Sequence, residues 1–155
     1  MIKLLNKAII ALALVALIGS ANAKTLKVET HFTASSPNGE VAAQFAKNVE
    51  EFSGGSLKIQ MFYSSSVSGK SAEVFNSAQT GIIDCDMTGA GYQTGKNAAF
   101  QFAGDVMGGY DNPYQQYDFL KFPGAQDAVD ALYNKYGMTL IGWWIPGHES
   151  LISSV

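Results

Sequence analysis

Thr25-Leu26-Lys27-Val28-Glu29-Thr30-His31-Phe32 and, one helix later, Leu57-Lys58-Ile59-Gln60-Met61-Phe62-Tyr63 are the two runs that decide the fold. In the first, Leu26, Val28 and Thr30 alternate with Lys27 and Glu29, the period of two that a strand requires. The second alternates in the same way, with Leu57, Ile59, Met61 and Tyr63 against Lys58, Gln60 and Phe62. Between them, Ser36-Pro37 offers a hydroxyl N-cap followed by proline at the first helical position. Val41, Phe45, Val49 and Phe52 then recur at helical spacing and predict one apolar stripe. Gly54-Gly55 ends that helix. Strand, helix, strand in this order implies a parallel pair joined by a right-handed crossover.

The same alternation continues downstream. A Ser/Gly loop covers Ser64 to Gly69. A short helix carrying Ala72, Val74, Phe75 and Ala78 stops at Gly81. Ile82 to Met87 reads as a third strand, turned by Gly89-Ala90-Gly91. The aromatic, Gly-rich stretch from Tyr92 to Asp111 carries no assignable period. Asn112-Pro113 opens a helix holding Tyr114, Tyr117 and Leu120. Another helix runs from about Ala125 to Tyr136, with Ala125, Val129, Leu132, Tyr133 and Tyr136 as its stripe and Gly137 as its stop. Met138 to Trp144 reads as a fourth strand. The expected class is α/β, a mostly parallel sheet flanked by helices.

Upstream, Lys3 and Lys7 precede an apolar run from Ala8 to Ile18, and Gly19-Ser20-Ala21-Asn22-Ala23 supplies small residues. A basic start, a short apolar run and an Ala-x-Ala site make residues 1–23 a secretory signal peptide. The run is shorter than the about 20 residues that span a bilayer, so no stable membrane insertion of the mature chain is expected. The mature chain begins at Lys24 and works in a bacterial periplasm. All ten basic residues are Lys, and removing Lys3 and Lys7 leaves eight against 13 Asp and Glu, a formal charge of −5. Such a chain has no basic face for nucleic acid. With 47% hydrophobic and 12% aromatic residues it can bury a core. The single Cys85 forms no internal disulfide and reads as a small buried hydrophobe.

Enzyme motifs are present only in pieces. Gly69-Lys70-Ser71 ends like a phosphate loop, but Ser64 stands where its first glycine belongs. Gly89-x-Gly91 lacks the third glycine of a dinucleotide fingerprint, which would fall at Thr94. His148-Glu149 has Ile152 where a zinc helix needs a second histidine. His31 and His148 are the two histidines, and no metal site or cofactor is expected of them. No nucleophile elbow is legible, so the competing reading, a small secreted α/β hydrolase-type enzyme, has no nucleophile–base pair to rest on. In open α/β sheets ligands bind beyond the carboxyl ends of the strands. The turns at His31–Ser36, Ser64–Gly69 and Gly89–Lys96 are therefore expected to border any site. Trp143 and Trp144 are neighbours on an extended segment, so only one can face the core.

These segments, in this order, resemble a known family, the periplasmic solute-binding proteins of tripartite ATP-independent periplasmic (TRAP) transporters, DctP-like. The resemblance rests on His31-Phe32-Thr33-Ala34-Ser35-Ser36-Pro37 before a long amphipathic helix, on Leu57 to Tyr63 with its Ser/Gly loop, and on Ser71 to Asp84 with Glu73, Gln79 and Gly81-Ile82-Ile83-Asp84. Gly91-Tyr92-Gln93-Thr94-Gly95-Lys96-Asn97 is similar to the subgroup that binds α-keto and related carboxylic acids. The resemblance implies a two-lobe receptor, not an enzyme, that closes on an organic acid and hands it to a TRAP membrane permease. It divides the chain into a signal peptide (1–23), a first lobe (24–144) and the start of a crossing towards a second lobe (145–155). It implies ligand contacts at Tyr92, then His148 and Glu149, then Trp144, with Glu73 last. It also implies an Arg that grips the carboxylate from the second lobe. This chain has no Arg, so the resemblance reads it as the N-terminal portion of a longer receptor.

Overall fold

The computed structural model describes residues 23–104, 106 and 109–144. The signal peptide short of Ala23, the crossing segment, His148 and Glu149 lie outside the described residues.

β1 (Lys24–Thr30) and β2 (Leu57–Phe62) form the expected parallel pair, in register from Lys24 opposite Leu57 to Glu29 opposite Phe62. β3 (Cys85–Met87) adds to the other edge of β1, also parallel, with Val28, Glu29 and Thr30 opposite Cys85, Asp86 and Met87. The order β2-β1-β3 makes β1 the central strand. Over Val28–Thr30, the part that β3 flanks, that position overrides its alternation. Glu29, read from sequence as lying on the polar side, is fully buried together with Val28 and Thr30. A central strand of a parallel sheet is covered on both faces, whatever its pattern.

α1 (Pro37–Phe52) starts as expected. The Ser36 hydroxyl accepts from the Gly39 amide at 3.1 Å and donates to the Thr33 carbonyl at 2.8 Å. Its buried face is not the expected stripe, however. Gly39 and Ala42 are buried, with Ala46 and Val49 half-buried beside them, while Val41, Phe45 and Phe52 are exposed, Phe52 to 84%. Small residues set the packing distance. A Cβ at Gly39 would fall on the Thr33 carbonyl oxygen, so the helix meets the chain after β1 along its narrowest side. Gly54 and Gly55 then leave the helix in the left-handed region at φ 60° and 79°, which glycine adopts without a Cβ penalty.

A 3-10 turn (Ser71–Glu73) leads into α2 (Val74–Gln79), which buries Val74 and Phe75. The third strand is shorter than expected. The amides of Ile82 and Ile83 are taken by the Ser77 carbonyl, and the Asp84 carboxylate accepts from the Lys27 amide at 2.8 Å. The Ser77 bonds keep Ile82 and Ile83 off β1, while the Asp84 amide already donates to the Lys27 carbonyl at 2.9 Å; Ile82 is exposed and Ile83 is buried. The stretch that had no period holds two more 3-10 turns, Ala90–Gln93 and Ala98–Ala103. α3 (Pro113–Lys121) is capped by Asn112, whose side chain accepts from the Gln115 amide at 3.1 Å. α4 (Pro123–Asn134) follows at once, starting and ending about two residues earlier than expected.

The core lies on the β3 side. Phe75, Ala90, Phe100, Ala103, Val129 and Leu132 form it, with Tyr133, Tyr136, Met138, Leu140 and Trp143 packed against it. Phe75 meets Phe100 edge-on at 5.8 Å, and both rings lie against Tyr133 and Tyr136. Met138–Trp144 is not the expected fourth strand. It keeps a strand's alternation, with Met138 and Leu140 half-buried and Thr139 and Ile141 exposed, but it joins no ladder. Apolar docking onto the core, not backbone pairing, holds it. No helix among the described residues is long and apolar enough to cross a membrane.

Candidate functional site

The carboxyl ends of the three parallel strands open onto one aromatic cluster. His31 and Phe32 follow β1 directly, and their rings lie 3.9 Å apart. Tyr92, on the 3-10 turn after β3, meets His31 edge-on at 5.2 Å. Trp144 stacks on Phe32 at 5.9 Å with 27° between the planes. Tyr92 and Trp144, two of the five residues implied from sequence, therefore meet through His31 and Phe32. Tyr92 remains 45% exposed, so the side chain is reached by solvent. The two tryptophans part as the pleat requires, Trp143 to the core and Trp144 to the cluster.

His31 is held by its packing. Burial pushes its pKa below the ordinary value, so the ring is neutral at pH 7, and its Nδ1 is buried without a hydrogen-bond partner. A buried polar atom left unpaired is uncommon in a finished interior and marks where a small polar ligand or water can be received. The cluster thus combines apolar ring faces, a phenol donor and an unpaired imidazole nitrogen. That set suits a small, partly planar molecule with one polar end.

Glu73 stands apart from this cluster. It is exposed, accepts from Asn76 Nδ2 at 2.6 Å, and belongs to a surface chain in which Lys96 Nζ reaches Asn76 Oδ1 at 2.6 Å.

Beneath the cluster lies a carboxylate pair that the strand pattern did not indicate. Glu29 accepts from the Val67 amide at 2.6 Å, the Ser68 amide at 3.3 Å and the Ser68 hydroxyl. Ser68 also bonds Ser77 at 2.7 Å. A buried carboxylate needs such donors, because leaving it unpaired costs several kcal/mol or roughly that. Glu29 in turn fixes the Ser64–Gly69 loop, whose Ser64 and Ser65 adopt the left-handed region at φ 58° and 50°. Asp86 is opposite Glu29 on β3. Its carboxyl is pushed up to about 6 by burial, with the Glu29 charge adding and the nearby Thr88 amide and hydroxyl opposing. Thr88 stays outside hydrogen-bond geometry with it, and Asp86 Oδ1 has no partner. Tyr133 is pushed up to about 12 by burial and by Asp86. Cys85 is half-buried, and its thiol is raised by burial and by Asp84 and Asp86, which keeps it protonated and unreactive at pH 7.

The family model described as DctP, bacterial extracellular solute-binding protein, family 7, matches residues 28–154. The chain belongs to that family. Its fold agrees with solved members of the TRAP group. A TRAP periplasmic solute-binding protein from Rhodobacter sphaeroides, in an apo open structure, is 27% identical, with a TM-score of 0.70 over 76% of this chain and 37% of that one. One from Pseudoalteromonas atlantica with bound sodium and pyruvate is 20% identical, with a TM-score of 0.68 over 75% of this chain and 35% of that one. One from Bordetella bronchiseptica, with calcium and picolinate in its site, is 22% identical, with a TM-score of 0.66 over 74% and 34%. No curated protein matches the chain. The chain spans about a third of the length of these solved relatives.

His31 and Phe32 were not singled out from sequence, although the turn they begin was expected to border the site. The signal was their place directly after a strand, where side chains emerge at the sheet's carboxyl edge. Glu29 and Asp86 gave none, because their meeting depends on strand order.

Proposed function

We propose that this chain forms the ligand-receiving lobe of a periplasmic receptor that captures a small carboxylic acid and delivers it to a TRAP-type membrane permease. The carrying observation is the His31–Phe32–Tyr92–Trp144 cluster at the carboxyl edge of the parallel sheet. Its rings suit the flat carbon frame of a keto or aromatic acid, and the Tyr92 hydroxyl suits one carboxylate oxygen. Solved relatives carry pyruvate and picolinate, both small planar acids. The family is one of solute-binding proteins, which favours capture and release over turnover. The acid's charge asks for a cationic partner, and a guanidinium from a second lobe is the group best shaped for it. His148 and Glu149 belong to the same proposal as contacts at the crossing between lobes, and residues 1–23 as the export signal.

The test is a titration of the full-length protein with pyruvate, picolinate and a panel of related acids, followed by tryptophan fluorescence. A saturable change that disappears in Trp144→Phe, with affinity about tenfold weaker in Tyr92→Phe, is the expected result; about tenfold is what one lost hydrogen bond to a charged group represents. A flat response to every acid, with no rise in melting temperature, would overturn the reading.

A further inference from the structure

Tyr92 projects from a short 3-10 turn, an element with little rigidity of its own, yet it holds a defined edge-on contact with His31. Something else must fix that turn. Two glutamines do so from opposite sides. Gln93, the residue after Tyr92, is only 2% exposed, and its Nε2 donates to the Ala72 carbonyl at 3.2 Å. Its own carbonyl accepts from the amides of Lys96 and Asn97 at 2.9 and 3.2 Å. On the other side, Gln116 of α3 is 5% exposed and its Nε2 donates to the Gly104 carbonyl at 2.9 Å. Gly104 lies directly under the turn. A Cβ there would come within 3.1 Å of the Gly91 amide nitrogen, tighter than most such contacts, so glycine lets the two backbones approach this closely without either giving way. The Tyr92 ring meanwhile lies over Gly89, 3.8 Å from where a Cβ would stand.

We propose that Gln93 and Gln116 are positioning residues that brace the Gly89–Gln93 turn between the Ala72 carbonyl and Gly104 and so set Tyr92 against His31 for ligand contact. The ligand contact rests on the functional reading above; the brace itself does not. Buried glutamine is uncommon, because its amide must find partners inside the protein. Two of them, each spending its donor on a carbonyl next to the same turn, have a common consequence for Tyr92. Each spends its donor on a backbone carbonyl and not on a ring of the aromatic cluster, so each acts through backbone.

The test uses Gln93→Met and Gln116→Met in the full-length protein, since methionine keeps the length of the side chain and removes the donor. The first readout needs no ligand. The His31 ring is followed by NMR through a pH titration, its resonance identified as the one absent from His31→Gln. Loosening Tyr92 exposes His31, so its pKa should rise towards the ordinary 6.5 or so in both variants. A merely structural loss would lower the melting temperature and leave that titration unchanged, and such a result overturns the proposal. Should Gln93→Met not fold, Gln116→Met carries the same readout alone; loss of folding in both makes the amides general core supports and also overturns it. The second readout is affinity for pyruvate, expected to fall about tenfold in each variant, the scale of one well-placed hydrogen bond. A His31 shift in a protein that binds no acid upholds the brace and rejects the functional reading. Pyruvate binding with equal affinity and an unchanged His31 titration in the variants does the reverse.

Discussion

Asp86 and Glu29 occupy opposite positions on adjacent strands, and the sheet treats them differently. Glu29 has three donors from the Ser64–Gly69 loop, whereas Asp86 has an oxygen with none. Burial, with the Glu29 charge adding to it, makes the folded state hold the Asp86 proton more tightly than the unfolded chain does, with a pKa of about 6 against an ordinary 3.8. The sign follows from linkage. A carboxyl raised in the folded state favours folding while it is protonated, below about 4, and that contribution is lost as pH rises through 6. Two pKa units or so correspond to roughly 3 kcal/mol at most. Asp86→Asn should then match the parent near pH 4 and exceed its stability by about 2–3 kcal/mol at pH 8, measured by urea unfolding at both values. A stability difference that does not grow between those pH values would show that Asp86 ionises in the folded protein as it does in water. The contrast with Glu73 is instructive at the same scale. The carboxylate at the end of the 3-10 turn stays in water and bonds its neighbour Asn76, while the two on strands are taken inside.

Among the elements, α1 shows how backbone contact can outrank hydrophobic pattern. Val41, Phe45 and Phe52 of its apolar stripe face outward, because Gly39 and Ala42 allow a closer approach than Phe45 or Val41 could. Gly39→Ala improves intrinsic helix propensity by about 1 kcal/mol, yet its Cβ would meet the Thr33 and Ala34 carbonyl oxygens. Those are backbone atoms and cannot rotate away. The net result should be a loss of about 1–3 kcal/mol, the range for overpacking, and larger than the about 1 kcal/mol lost when Ser36→Ala removes the cap. Thermal unfolding of the two variants side by side checks the order; equal stability of Gly39→Ala and the parent would mean the helix can shift outward freely. The same element explains what the sequence made legible. Caps, glycine stops and the parallel β1–β2 pair are local chemistry, and Ser36, Asn112, Gly54 and Gly81 mark them plainly. Strand order and the choice of buried face are not local. Glu29 could be recognised as buried only once β3 was placed beside β1, and Met138–Trp144 has a strand's alternation without a strand's partner. Of the candidate site, Tyr92 and Trp144 were expected from the family resemblance, whereas His31 and Phe32 needed the fold to bring them to those rings.

Across the molecule, apolar surface is distributed unevenly. Val41 and Phe52 are 51% and 84% exposed on α1, with Phe45 beside them. A second apolar face lies away from α1, a cleft of about 270 Å³ where Phe102, Ala103 and Phe119 face Val129 and Leu132, with Lys135 at its rim. Monomeric proteins seldom leave large contiguous apolar patches open, and such patches drive association. The sheet adds unpaired outer edges on β2 and β3 among the described residues, although Lys58 and Gln60 alternate as exposed polar groups along β2, a feature that resists edge-to-edge pairing. The helix face is thus the stronger contact. Residues 24–144 expressed by themselves should bind an apolar dye such as anilinonaphthalene sulfonate and sediment as larger species as concentration rises. Replacing Val41 and Phe52 together by Lys should restore the monomer with little change in melting temperature, because both side chains already face water. Association that persists in the double variant would move its cause to the sheet edges or to the cleft, and Phe102→Lys would separate those two. A monomer without dye binding in the parent segment would mean that these exposed rings are too scattered to act as one surface.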